Sequence, residues 1–182
     1  MRALLLAACT LTLAAPALAQ ELKPTGEVRF LASGSSSSSA SFDEARVVGP
    51  LVNMTRRADG TWAGDLKRRD YDLHLDGDRL HGPNFDVHVS SRDGRTQVRG
   101  LVDGKRLSFE MDEKGLSGRF GTCSLDMPRR SPGFFHGQVG CASRKGGLGS
   151  TGQAGLAFTG AAGEAVPPPA QLALALAAVL PG

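Results

Sequence analysis

The chain has 182 residues, 21 Lys and Arg against 18 Asp and Glu for a net charge of +3, and 41% hydrophobic residues. That length suits one domain with its own core, and no apolar run reaches the length of a membrane-spanning helix. The basic pairs Arg56-Arg57, Arg68-Arg69 and Arg129-Arg130 are interleaved with Asp and not with aromatic residues, which speaks against a nucleic-acid surface.

Residues 1–19, "MRALLLAACTLTLAAPALA", carry one basic residue, an uncharged apolar run and an Ala-x-Ala ending, and read as a secretory signal peptide cleaved before Gln20. Leu6-Ala7-Ala8-Cys9 has the form of a lipoprotein cleavage box, but too few residues precede the cysteine for a normal apolar region. Export follows, to the periplasm or the outside. Without Arg2, 20 basic residues face 18 acidic ones, and the cysteines remaining are Cys123 and Cys141. In an oxidising compartment an even pair predicts a disulfide.

Residues 20–45 are predicted to hold one strand and a Ser-rich loop, Gly34 to Ser41, whose low-complexity sequence reads as a flexible connection. Residues 46–142 alternate apolar and polar side chains densely enough to form the domain proper: an all-β, antiparallel, up-and-down meander of about ten short strands, barrel or clam-like. Glycines recur there at 64, 82, 100, 118 and 137, mostly as apolar-x-Gly-x-apolar. Turn positions fix which residues face one another. A loop at Ala58 to Gly60 sets Met54 opposite Gly64, and a four-residue loop at Lys67 to Asp70 sets Gly64 opposite Leu73 and Trp62 opposite Leu75. Turns at Asp93-Gly94, Asp103-Gly104, Glu113-Lys114 and Gly121-Thr122 place Val87 opposite Gly100, Gly100 opposite Leu107, Phe109 opposite Gly118 and Gly118 opposite Leu125. A loop at Ser131 to Gly133 brings Cys123 directly opposite Cys141, within disulfide reach.

Each glycine therefore points to the apolar face. There it supplies curvature for closure, or leaves room for a ligand next to Trp62, Phe85, Phe109 and Phe120. The candidate apolar ligand site comprises Trp62, Gly64, Phe85, Gly100, Phe109, Gly118 and Phe120, and its ligand would be an apolar small molecule or lipid. On the polar face, "YDLHLDGDRLHGPNFDVHV" places Asp72, His74, His81, Asp86 and His88 on three adjacent strands, a candidate metal set. The alternative for those five is an ordinary polar sheet face.

Residues 143–182 are Gly, Ala and Pro-rich and are predicted to be a flexible or docked tail. Within it, Gln171 to Leu180 is apolar, with Leu172, Leu176, Val179 and Leu180 on one helical face, and is a candidate occupant of the interior. Leu156 to Gly160, "LAFTG", resembles the sorting motif of proteins that sortases attach to bacterial cell walls, which implies anchoring at the cell surface. No hydrolase, protease or phosphate-binding motif occurs. Three functions fit these features: a non-enzymatic module binding an apolar molecule in its interior, a structural cell-envelope or surface protein without a small ligand, and a metal-binding protein acting at the histidine face. An outer-membrane barrel is a fourth, disfavoured because strands of about six to eight residues are shorter than the roughly nine to eleven needed to cross.

Overall fold

The computed structural model describes residues 25–33, 37–143 and 149–181. The predicted leader, with Cys9, lies outside them. The strands are β1 (Gly26–Ala32), β2 (Ser38–Phe42), β3 (Arg46–Gly49), β4 (Val52–Arg56), β5 (Trp62–Leu66), β6 (Arg69–Asp76), β7 (Arg79–Gly82), β8 (Phe85–Arg92), β9 (Arg95–Val102), β10 (Lys105–Met111), β11 (Gly115–Phe120), β12 (Cys123–Ser131), β13 (Phe134–Cys141) and β14 (Ser150–Gly160). A helical turn, α1 (Ala161–Glu164), and a helix, α2 (Pro169–Val179), follow.

Every strand pairs antiparallel with its sequence neighbours, and β1 pairs with β14, so the sheet closes into a barrel. Closure leaves no sheet edge to template association. The wall keeps one apolar face throughout: along β8, Phe85, Val87 and Val89 are buried while His88 and Arg92 are exposed. The same alternation runs along β12, with Cys123, Leu125 and Met127 buried and Ser124, Asp126 and Pro128 exposed. The outward face is rich in charge, with Asp72, Arg79, Asp86, Arg99, Arg106 and Arg119 all on it.

The registers read from the turns hold across β8 to β12 and at β4–β5: Val87 faces Gly100, Gly100 faces Leu107, Phe109 faces Gly118, Gly118 faces Leu125 and Met54 faces Gly64. The β5–β6 hairpin differs. Its turn is Lys67-Arg68 alone, with both residues at positive φ (51° and 67°), so Leu66 faces Arg69, Gly64 faces Tyr71 and Trp62 faces Leu73. The slip is of two residues, and a two-residue slip preserves the buried face where a one-residue slip would reverse it.

The barrel also reaches beyond residues 46–142. Ser38 to Ser41, expected in a loop, form most of β2, and Ser150 to Gly160, expected in the tail, form β14. The sorting-like motif Leu156 to Gly160 is therefore barrel wall, paired along its length with β1 and through Leu156 and Ala157 with β13, with Leu156 and Phe158 in the core. Cys123 and Cys141 face each other across β12 and β13 and are joined by a disulfide.

Candidate functional site: the filled interior

The recurrent inward glycines are explained by backbone and not by ligand space. A Cβ added at Gly100 would sit 1.9 Å from the Asp86 carbonyl oxygen, and one at Gly118 would sit 2.2 Å from that of Ser108. Gly64, Gly82 and Gly137 meet the carbonyls of Asn53, Asp72 and Asp126 in the same way. At each position the adjacent strand passes so closely that no side chain fits, which is how tightly coiled strands are accommodated in a closed wall. Gly118 also lies at φ 150°, outside the range most side chains adopt.

The lumen is occupied by the chain itself. After β14 the polypeptide turns through α1, Pro167 to Pro169 redirect it, and α2 runs down the barrel. Ala170 to Leu180 are all buried, none more than 5% exposed. The helix is apolar on every side, as befits one surrounded by protein. It is not buried along one face only, as the spacing of Leu172, Leu176, Val179 and Leu180 suggested. It packs most closely on β1 to β4, β7 and β8. Its alanines at 173, 175, 177 and 178 permit that close approach, while Leu172, Leu174 and Leu176 fill the wider spaces. Pro169 at the first helical position costs no hydrogen bond there and fixes a helical φ.

Two polar side chains tie down the helix ends. At the start, Gln171 Nε2 donates to the carbonyl oxygens of Asp43 (3.1 Å) and Glu44 (3.4 Å) in the β2–β3 turn. At the end, Lys67 Nζ donates to the Leu180 carbonyl oxygen at 2.9 Å and lies 4.9 Å from the centre of the Phe120 ring. A cation at a helix C-terminus satisfies an unpaired carbonyl and complements the helix dipole. Burial lowers the Lys67 pKa to about 8, and nearby Lys105 adds to the shift while Asp103 opposes it. Beside it, Tyr71 Oη and Arg69 Nη1 both donate to Asp103 Oδ1, at 2.8 and 2.7 Å. Burial, then the Asp103 contact, hold the Tyr71 phenol well above its ordinary pKa.

The side chains expected to surround an apolar ligand, Trp62, Phe85, Phe109 and Phe120, are all buried in this same core, each at most 3% exposed. They form one continuous core with the helix side chains. Trp62 Nε1 is buried without a hydrogen-bond partner. Recesses of about 300 Å³ and 290 Å³ open at the two mouths, but they are lined by other residues: Thr96, Met111, Arg129, Phe135 and Phe158 at the mouth where α2 enters, and Phe30, Val139, Cys141 and Pro181 at the mouth where it ends.

The histidine face is assembled differently from a metal centre. His74 does face His81, with ring centroids 5.9 Å apart, and His81 faces Asp86. But Asp86 takes both hydrogen bonds of the Arg79 fork at 2.8 Å, Asp72 is held by Arg57 at 2.8 Å, and His88 Nε2 lies 2.9 Å from Asp78. The Arg79 hydrogen bonds lower the Asp86 pKa. Among the described residues, no group of three His, Cys, Asp or Glu is gathered closely enough to hold a metal ion. Of the set expected from Asp72, His74, His81, Asp86 and His88, both carboxylates are spent on arginines, while the neighbouring Asp76 and Asp78 lie beside His81 and His88.

The anchors Gln171 and Lys67 escaped the sequence reading. Gln171 carried a signal, being the one polar residue at the head of an apolar segment; Lys67 carried none. No protein-family model, curated protein or solved structure matches the chain.

Proposed function

We propose that this is an exported, non-enzymatic barrel that works through its outer wall as a structural component of the cell envelope or surface, its interior being reserved for its own C-terminal helix. The observation that carries this reading is the complete burial of Ala170 to Leu180 within the lumen. A carrier of apolar molecules needs several hundred cubic ångströms of free interior, and here the helix takes that place. The leader-like pattern of residues 1–19 and the disulfide support export to an oxidising compartment. No helix among the described residues is long and apolar enough to cross a membrane. A barrel that spans a bilayer turns an apolar belt outward; this wall turns charge outward, which suits a barrel surrounded by water.

The test is titration of the purified full-length protein with fatty acids and an apolar dye, followed by the fluorescence of its single Trp, Trp62, together with solvent extraction for copurified lipid. The expected result is no saturable change and no lipid. Stoichiometric binding or extracted lipid would replace this reading with the carrier. Export is checked by the mass of the mature protein, expected to begin at Gln20.

A further inference from the structure

We infer that Arg99, Arg106 and Arg119 form a docking site for an acidic polysaccharide on the outer wall of the barrel. Register places Arg99 of β9 and Arg119 of β11 directly on either side of Ser108 in β10. Arg106 precedes Ser108 by two residues and shares its outward face. Cross-strand neighbours stand about 5 Å apart and alternate residues of one strand about 7 Å apart, so three long side chains converge around one hydroxyl. All three arginines are exposed and Ser108 is half-buried.

Their lack of partners distinguishes them. Arg29, Arg57, Arg69, Arg79 and Arg95 each pair with a carboxylate, whereas among the described residues Arg99, Arg106 and Arg119 have no ion pair. The other unpaired arginines lie at strand ends or in a turn: Arg46, Arg56, Arg92, Arg129, Arg130 and Arg68. Among the described residues, only these three gather on the body of the wall. Like charges held this close repel one another, and an anion laid among them relieves that repulsion.

The form of the patch selects the anion. The row continues around the girth from Arg99 through Ser108 and Arg119 to Ser124, so guanidinium and hydroxyl alternate. Guanidiniums bind carboxylate or sulfate groups through paired hydrogen bonds, and serine hydroxyls suit sugar hydroxyls. Arg99 and Arg119 are two strand spacings apart, about 10 Å. That matches the repeat of a disaccharide unit and is far wider than the charge spacing of about 1.7 Å along duplex nucleic acid. Beside the row lie Glu110, held by Arg95 at 3.2 Å, and Asp126 opposite Ser117. A bilayer or a duplex would press its anionic face against those carboxylates, whereas a single glycan chain fits between them.

This proposal builds on the reading that the protein acts through its outer wall, yet it can fail while that reading stands, because the filled interior is judged by dye and lipid alone. The experiment measures binding of fluorescent heparin oligosaccharides to the full-length protein over a salt series. It is repeated with duplex DNA and with vesicles containing phosphatidylglycerol. Heparin is expected to bind most tightly. The triple variant R99A/R106A/R119A should bind at least ~10-fold more weakly and lower the slope of log affinity against log salt by about 2 to 3. A control with the same charge change at the rim, R46A/R92A/R130A, should stay within about threefold of the parent. Ser108→Asp, which keeps every arginine, should weaken binding comparably to the triple variant. Failure of heparin to bind at low salt, equal losses in the control variant, or tighter binding to DNA or vesicles would each overturn the proposal.

Discussion

Gly100 sits where the carbonyl of Asp86 crosses the inner face, and its lack of a side chain is a steric requirement. Gly100→Ala should destabilise the protein by about 3 kcal/mol, since the obstacle is backbone and cannot swing aside. Gly140→Ala is the comparison: its nearest neighbour would be 3.6 Å away, and the change should stay within about 0.5 kcal/mol in the same urea melts. Lys67 gives a pH signature. Its folded pKa of about 8 lies below the ordinary lysine value of 10.5, chiefly through burial. Between those two values the unfolded chain binds the extra proton. The contribution of Lys67 to stability therefore rises with pH across that window and is lowest below about 8. The parent should gain about 1–3 kcal/mol relative to Lys67→Met when urea melts at pH 7 and pH 10 are compared, with the carbonyl and ring contacts of the charged form tempering the gain.

Among the elements, α2 is set by a division of labour between large and small residues. Leu174→Ala should cost about 2–5 kcal/mol by leaving a cavity, and Ala175→Leu about 1–3 kcal/mol by forcing the helix off its neighbours; thermal melts of both variants check this pair. Much of the wall from β8 to β12 was legible in the sequence because Asp-Gly and similar turns fix registers within a few residues, and alternation then assigns the faces. The β5–β6 turn was not, because Lys67 and Arg68 are unusual occupants of the left-handed region. What holds Lys67 in place is distant in sequence: its N–H bonds to the Leu51 carbonyl and its ammonium to that of Leu180. β2 and β14 were hidden by serine, glycine and alanine, residues with little strand preference of their own. Closure recruits them, since a meander ending at β13 would leave two unpaired edges. On the wall, spacing did set His74 opposite His81 and His81 opposite Asp86. It could not reveal that Arg79 would claim Asp86.

For the whole molecule, the disulfide joins neighbouring strands across a sequence separation of 18 residues. Reduction should lower stability by about 3 kcal/mol without changing the fold, read as a fall in melting temperature with the far-UV circular dichroism of the cold protein preserved. The closing contact of the wall spans far more chain: Gly26 faces Gly160, and the helix that fills the lumen comes later still. Contacts of such separation form late, because the entropy of closing the loop is lost before any pairing compensates. During synthesis, then, no finished core exists until β14 and α2 have been added. Nascent chains halted before Gly160 should be digested by protease under conditions that spare the completed protein. A polypeptide made this way has no closed fold for as long as the ribosome is working on it, and under the export proposed above it would still be threadable through a narrow translocation pore, its barrel, plug and disulfide forming afterwards.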